Sequence, residues 1–223
     1  MAKASFYTAA QCRELDRLAV EDYGVPNITL MQRAAEAAFN ALRQQWPDAT
    51  ALEIFCGIGN NGGDGFITGM LAQKAGLRPH IHIVGDASRI AGDALKALQL
   101  ASSNQVPLDG SAVLASSEPG TVIVDAMLGT GLHGEVRAPY REAIATINAS
   151  GLPVLALDVP SGLCSDTGAV LGNAVRADLT ITFVGRKLGL ARGQGPAHAG
   201  KVVFASLDLP QSLYKRVPGT TQA

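Results

Sequence analysis

Apolar residues recur along this chain at two spacings, one helical and one continuous or alternating, and their succession predicts helices laid against a mostly parallel sheet. Thr8 followed by Gln11 is a capping-box pattern. It opens a helix through Tyr23 whose buried stripe is Leu15, Leu18 and Ala19 and whose stop is Gly24. After Pro26 a second helix runs to Trp46, with Leu30, Ala34, Ala37, Ala38 and Ala41 forming a narrow face of small residues. Such a face packs closely on the sheet or on a second subunit, and the core is the reading adopted. ALEIFC (51–56) is then a buried strand, FITGMLAQKAG (66–76) a crossover helix and PHIHIVG (79–85) the next strand, a βαβ unit of right-handed sense. A helix follows over 88–102, and the polar, Gly-rich stretch to Gly120 reads as surface connection with a weak strand. TVIVDA (121–126), LPVLALD (152–158), ADLTITFVG (177–185) and KVVFASLDL (201–209) complete the strands, with a helix over 139–150 and a glycine-rich link over 187–200. The tail is expected to fray from Val217.

Composition narrows the class. A chain of 223 residues, 47% hydrophobic and 17% charged, suits one α/β domain over 1–223. With a net charge of −1 and scattered Lys and Arg there is no basic stripe, which argues against nucleic acid and membrane surfaces as partners. Cys12, Cys56 and Cys164 are an odd number without metal-ligand spacing, as in a reducing compartment, and Cys56 simply ends a buried strand. The opening MAKASFYTAAQ lacks a signal-peptide core and no stretch is long enough to span a bilayer, so a cytoplasmic protein is expected.

The chemistry gathers at the strand ends. Gly57, Gly59, Gly62, Gly63 and Gly65 let a ligand approach the backbone, and Gly57, Gly59 and Gly62 fit GxGxxG, a weak signal alone. Asn60, Asn61 and Asp64 among those glycines are not required by a dinucleotide fingerprint; amide oxygens and a carboxylate suit hard cations or hydroxyl groups. The bland alternative is that Asp64 caps a helix and the asparagines serve a turn. The theme returns at Asp125, before the GTGL turn, and at Asp158 with Ser161. In a doubly wound sheet such ends converge on one crevice, and carboxylates that follow buried runs need partners or a ligand.

GIGNNGGDG (57–65), VDAMLGTGL (124–132), DVPSGL (158–163) with SDTG (165–168), TFVGRKLGL (182–190) and AGKVVFASLDLP (199–210) resemble, in this order and after two leading helices, the NAD(P)H-hydrate epimerase family with its YjeF-type N-terminal domain. GNNGGDG followed by DVPSG is far more specific than GxGxxG. The resemblance implies an α/β fold, a three-layer αβα Rossmann-like sandwich with a mostly parallel central sheet and two leading N-terminal helices. It implies an isomerase that interconverts the R and S epimers of NADH or NADPH hydrated on the nicotinamide ring (NADHX and NADPHX), a nicotinamide cofactor repair reaction. One potassium ion (K+) per subunit is implied, with Asn61, Asp125 and Ser161 as ligands. Asn60, Asn61, Gly62, Gly63 and Asp64, then Gly129, Thr130, Gly131, Leu132, His133, Gly134 and Glu135, and Asp158, would contact the hydrated dinucleotide. A homodimer is implied too, and work beside, or fusion to, an ADP- or ATP-dependent NAD(P)HX dehydratase.

Asp158 is the candidate general acid and base, with a ribose contact as its alternative role; His133 is a weaker candidate. Asp125, as a cation ligand, is expected to stay ionised. The GTGL amides suit a pyrophosphate, and Lys187 is either a phosphate contact or a solvated charge. Two rival readings stay open. An NAD-dependent oxidoreductase would use Gly57, Gly59 and Gly62 with Asp86 on a ribose, and a binding module would need no turnover at all. His80 and His82 share one face of a strand at a spacing that suits a metal, but with no third ligand in view they are taken as a partly exposed polar face.

Overall fold

The computed structural model describes residues 5–110 and 113–221; residues 1–4 of the opening stretch, 111–112 of the polar connection and 222–223 of the tail lie outside the described residues. β1 (Phe6–Tyr7) leads into α1 (Ala9–Glu21), where the Gln11 N–H donates to the Thr8 hydroxyl and the Thr8 N–H donates to the Gln11 side chain. Both halves of the capping box are therefore made, satisfying two amides that a helix start leaves over. α2 (Asn27–Gln45) follows the extended Pro26. Then come β2 (Ala51–Cys56), α3 (Asn60–Lys74), β3 (Arg78–Ile83), α4 (Gly92–Ser103), β4 (Leu108–Asp109), β5 (Thr121–Ala126) and α5 (Tyr140–Ala149). β6 (Val154–Leu157), β7 (Leu179–Phe183), β8 (Arg186–Lys187), α6 (Gly195–His198), β9 (Lys201–Ala205) and α7 (Gln211–Arg216) complete the chain.

Seven strands form one parallel sheet in the order β4-β3-β2-β5-β6-β7-β9. The chain steps outward from β2 to β4 and then returns to lay β5 on the other side of β2, with Phe55 opposite Asp125. This reversal is where connections part and a crevice opens beyond the strand ends. Leu52, Ile54 and Cys56 point to the face covered by α2, α3 and α4, whereas Phe55 and Ile123 point to α5. Every residue of β2 and β5 is buried. Each large apolar side chain so placed contributes about 1.5–3 kcal/mol, which makes these two strands the floor on which the crevice is built. The expected three layers and leading helices are thus observed.

The start of α3 differs from the helix expected over 66–76. Asn60 to Asp64 lie in its first turns, not in a loop, and Gly59 is the cap residue, so Asp64 does not cap. Helical glycines lose roughly 0.5–1 kcal/mol each against alanine, so local preference points to a later start. Packing reverses that preference. A Cβ at Gly62 would stand 1.9 Å from Gly57 O, and one at Gly65 2.6 Å from both Ala126 Cβ and Cys56 Sγ. The helix lies on the sheet at a distance that only glycine allows. The small-residue face of α2 packs inward, as expected, with Met31 against Gly63.

Two features were not expected. β1 pairs with β8 in a separate parallel sheet, Phe6 opposite Arg186. The tail is also held through Thr220, whose carbonyl accepts from Phe6 N–H at 2.7 Å and whose N–H donates to Phe6 O at 2.9 Å, while Val217 is buried. Backbone pairing across the whole chain replaces the fraying expected from Val217.

Candidate active site

A cavity of about 920 Å3 opens at the carboxyl ends of β2, β5 and β6. α1 contributes Cys12 and Asp16 to it, α3 contributes Asn60, Asn61 and Asp64, and the segment after β5 contributes Met127 through His133. A smaller cavity of about 480 Å3, between Trp46 and Pro153, lies at the opposite edge of the sheet, away from these groups.

One side of the large cavity is built on Asp125, which is wholly buried inside β5. The Ser161 N–H donates to its Oδ2 at 2.7 Å and the Ser161 hydroxyl to its Oδ1 at 2.6 Å. Met127 N–H adds a bond to Oδ1 at 3.2 Å, and Leu128 N–H donates to Ser161 Oγ at 2.8 Å. A single carboxylate thus ties the turn after β5 to the turn after β6. Burial pushes the Asp125 carboxyl up to about 6, against the pull of the Ser161 hydrogen bonds. Asn61 approaches the same turn, its Cγ 3.7 Å from where a Cβ would stand on Gly129. Both polar atoms of its amide are buried without a hydrogen-bond partner. A buried amide left so costs about 1–3 kcal/mol, and a bound group would remove that cost.

The other side is built on Asp158 and Lys187. Asp158 follows β6 with φ +67°, a left-handed conformation that an aspartate keeps only when its surroundings hold it there. Lys187, on β8, is only 2% exposed, so it is not the solvated charge that was one of its two readings. Its ammonium donates to Asp158 Oδ1 and, at 2.7 Å, to Phe183 O. Phe183 N–H at 3.3 Å and the Thr182 hydroxyl at 3.4 Å also donate to Oδ1. The other oxygen, Oδ2, faces Gly129, 3.5 Å from where its Cβ would stand. One carboxylate oxygen is anchored and the other is turned to the turn after β5.

Three carboxyls surround this one ammonium. Burial opposes the charge on Lys187, but Asp158, Cys12 and Asp16 outweigh it and hold the ammonium above its ordinary value. Burial raises Asp16 to about 6, with Lys187 lowering and Asp158 raising it further. Asp64 is held well above the carboxylate range by burial and then by the charges of Asp158 and Asp16. Burial raises the Cys12 thiol to about 11.

An acid raised in the folded state stabilises the fold below its unfolded value, about 4, and that contribution is lost as pH rises through about 6. Asp16→Asn removes the loss. Urea denaturation should show the variant more stable by about 1–3 kcal/mol at pH 7, with the gain gone near pH 3.5. Equal stability at pH 7 would mean that the Asp16 carboxylate is fully compensated where it lies.

The residues expected at the site separate into two groups. Asn60, Asn61, Asp64, Gly129, Thr130, Gly131, Leu132, His133 and Asp158 line the cavity, whereas Asp125 and Ser161 do not line it and sit behind it, bonded to the N–H groups of the lining residues Met127 and Leu128. Gly62 and Gly63 instead face Gly57 and Met31, and Gly134 and Glu135 stand outside the lining. Asp86 accepts from Ser88 N–H at 3.0 Å, capping the 3-10 turn Ala87–Arg89, and does not line the cavity. Cys12, Asp16 and Tyr140 were not anticipated there; Cys12 and Asp16 arrive from a helix remote in sequence, and Tyr140 opens the helix that follows the GTGL turn. For Lys187 a signal existed, though a mixed one: it stands between an apolar strand and Leu188 and Leu190, but beside a second cation, Arg186.

A parallel sheet that reverses direction beneath an acid- and amide-lined crevice defines a Rossmann-like ligand-binding domain. The family described as YjeF-related protein N-terminus matches residues 27–189, and the chain belongs to that family. It is 45% identical, over 95% of its length, to the bifunctional NAD(P)H-hydrate repair enzyme Nnr of Coxiella burnetii, and spans 43% of that enzyme. It is 37% identical, over 89% of its length, to the NAD(P)H-hydrate epimerase of Limosilactobacillus fermentum, and spans 94% of that one. The crystal structure of yeast ynu0 (YNL200c) shares the fold, with a TM-score of 0.83, 18% identity, and coverage of 98% of this chain and 95% of that one.

Proposed function

We propose that this protein is an NAD(P)H-hydrate epimerase acting at the large crevice, with the chain 1–223 forming a single epimerase domain. The observation that carries the reading is the Asp158–Lys187 pair, placed where the family motifs converge and with Asp158 Oδ2 turned toward Gly129.

In the hydrated nicotinamide ring the hydroxyl-bearing carbon is bonded to the ring nitrogen. The nitrogen lone pair expels the hydroxyl as water once an acid protonates it, and water returning to the opposite face inverts the centre. Asp158 Oδ2 donates that proton and recovers it from the returning water. Lys187, Phe183 N–H and Thr182 keep Oδ1 still while this happens. Asp64 stands beside Asp158 in the crevice, held well above the carboxylate range by burial and by the charges of Asp158 and Asp16. The cation that develops on the ring meets the carboxylate that Asp158 becomes on giving up its proton and the carboxylate of Asp16, against the one ammonium of Lys187, so the crevice favours charge where the reaction creates it.

Asn61, Asp125 and Ser161 fit potassium in kind. They offer an amide oxygen without a partner, a buried carboxylate and a hydroxyl, all hard oxygen donors gathered at the turn after β5. The ion would supply a fixed charge that offsets buried Asp125. The Gly129, Thr130 and Gly131 backbone is suited to the pyrophosphate. A homodimer and cooperation with an ADP- or ATP-dependent dehydratase belong to the same proposal; two relatives, from Coxiella burnetii and Salinibacter ruber, are named as bifunctional repair enzymes. Among the described residues no helix is long and apolar enough to cross a membrane.

The test is a coupled assay. R-NADHX is supplied with an S-specific dehydratase, and recovery of NADH is followed in potassium and in choline buffers. Acceleration over spontaneous epimerisation, strongest in potassium, is expected. A folded protein that accelerates nothing in potassium would refute the epimerase reading and favour a binding role.

A further inference from the structure

A second polar cluster lies on the other face of the sheet, at its β3–β4 edge. His80 and His82, two residues apart on β3, share a face. In the strand register Glu53 of β2 stands opposite His80, and Asp109 of β4 opposite His82. His80 Nε2 is 3.0 Å from Asp109 Oδ2, and His82 Nδ1 is 3.7 Å from Asp109 Oδ1. The ligand atoms of His80, His82 and Asp109 all lie within 4.8 Å of one another. The side chain of His82 is 0% exposed and stacks on Phe55 at 4.5 Å, so the exposed face expected from the strand pattern holds only for His80, at 24%. The third ligand missing from the sequence reading is Asp109, brought in by a strand of two residues.

We propose that His80, His82 and Asp109 bind one divalent transition-metal ion of the zinc type, with Glu53 orienting His82. Two imidazoles and one carboxylate select such an ion over potassium or magnesium, which separates this cluster from the oxygen donors around Asn61. Metal–ligand bonds of about 2.0–2.1 Å in a tetrahedron place ligand atoms about 3.3 Å apart. Asp109 meets the two histidines through different oxygens, Oδ2 at 3.0 Å from His80 and Oδ1 at 3.7 Å from His82, with one ligand atom from each residue inside 4.8 Å, so the side chains would draw inward around an ion. Glu53 supplies the second independent feature. Its Oε2 lies 2.5 Å from His82 Nε2 and also accepts from Ala115 N–H at 3.0 Å. Buried carboxylate, histidine and ligand site thus stand in line, the arrangement that fixes ring orientation and tautomer at metal centres. The 47% exposure of the Asp109 side chain gives an ion access and leaves room for a water as fourth ligand. Bound there, the ion would clamp short β4 to β3 and, through Glu53, to β2.

The full chain, free of any affinity tag and stripped with a chelator, should be titrated with Zn2+ by calorimetry and with Co2+ by visible absorption. One ion per chain, the intense bands of four-coordinate Co2+ and a raised melting temperature are expected. His80→Ala and Asp109→Ala should each weaken binding at least tenfold, and Glu53→Gln by about 10- to 100-fold. Both outer ligands tolerate replacement without emptying the core, so these variants keep the test open if a His82 variant fails to fold. Absence of stoichiometric binding would overturn the proposal, leaving a plain histidine–carboxylate tie. So would binding that persists in the His80→Ala, Asp109→Ala double variant.

Discussion

Replacement of Asp158 by Asn is expected to slow epimerisation by about 10²–10⁴-fold, the range for loss of a positioned acid and base, while the protein stays folded. The amide keeps an acceptor for Lys187, Phe183 N–H and Thr182, so the anchoring geometry survives. Asp16, raised only to about 6, still faces the ammonium as a counter-charge near pH 7, which limits the penalty of a buried Lys187. Lys187→Met should also lose activity, because nothing then holds Oδ1. If the two groups act as a unit, the double variant will be about as slow as the slower single one. Rates from the coupled assay, read beside melting by circular dichroism, test this. An Asp158→Asn protein with full activity would sink the role given to that residue, and fully additive losses would sink the pairing.

The second large effect concerns stability. Gly62→Ala should destabilise by about 3 kcal/mol or more, since the added Cβ would stand 1.9 Å from Gly57 O and 2.7 Å from Gly57 C. Both are backbone atoms, so no rotamer change relieves the clash, and α3 must lift from the sheet. Its neighbour Gly59, where an added Cβ would meet nothing within 4 Å, is the control and should lose no more than about 1 kcal/mol on becoming alanine. Urea denaturation of the two variants measures the contrast. A Gly62→Ala protein as stable as the wild type would show that the helix does not need this close approach.

Particular residues show where sequence reading reaches and where it stops. The Thr8 and Gln11 cap, the buried strands β2 and β5 and the small-residue face of α2 were legible, because caps and periodicity are written in residues a few positions apart. The strand-end acids Asp125 and Asp158 were legible for the same reason: each closes its own apolar run. That they meet was an inference from parallel topology. The start of α3 was not legible, since helix propensity counts each glycine as a loss and knows nothing of Gly57 O beneath Gly62.

What the chain's order of residues determined by itself was the strands and principal helices of the central sheet, the family and the oxygen donors offered at the strand ends. The tertiary structure alone decided their electrostatics. Lys187 and Asp158 are 29 residues apart, as are His82 and Glu53, and Ser161 lies 36 residues from Asp125. Burial and charge coupling depend on distance in space, which no local pattern encodes. Only the folded sheet makes Lys187 the anchor of Asp158 and gives two histidines their carboxylates.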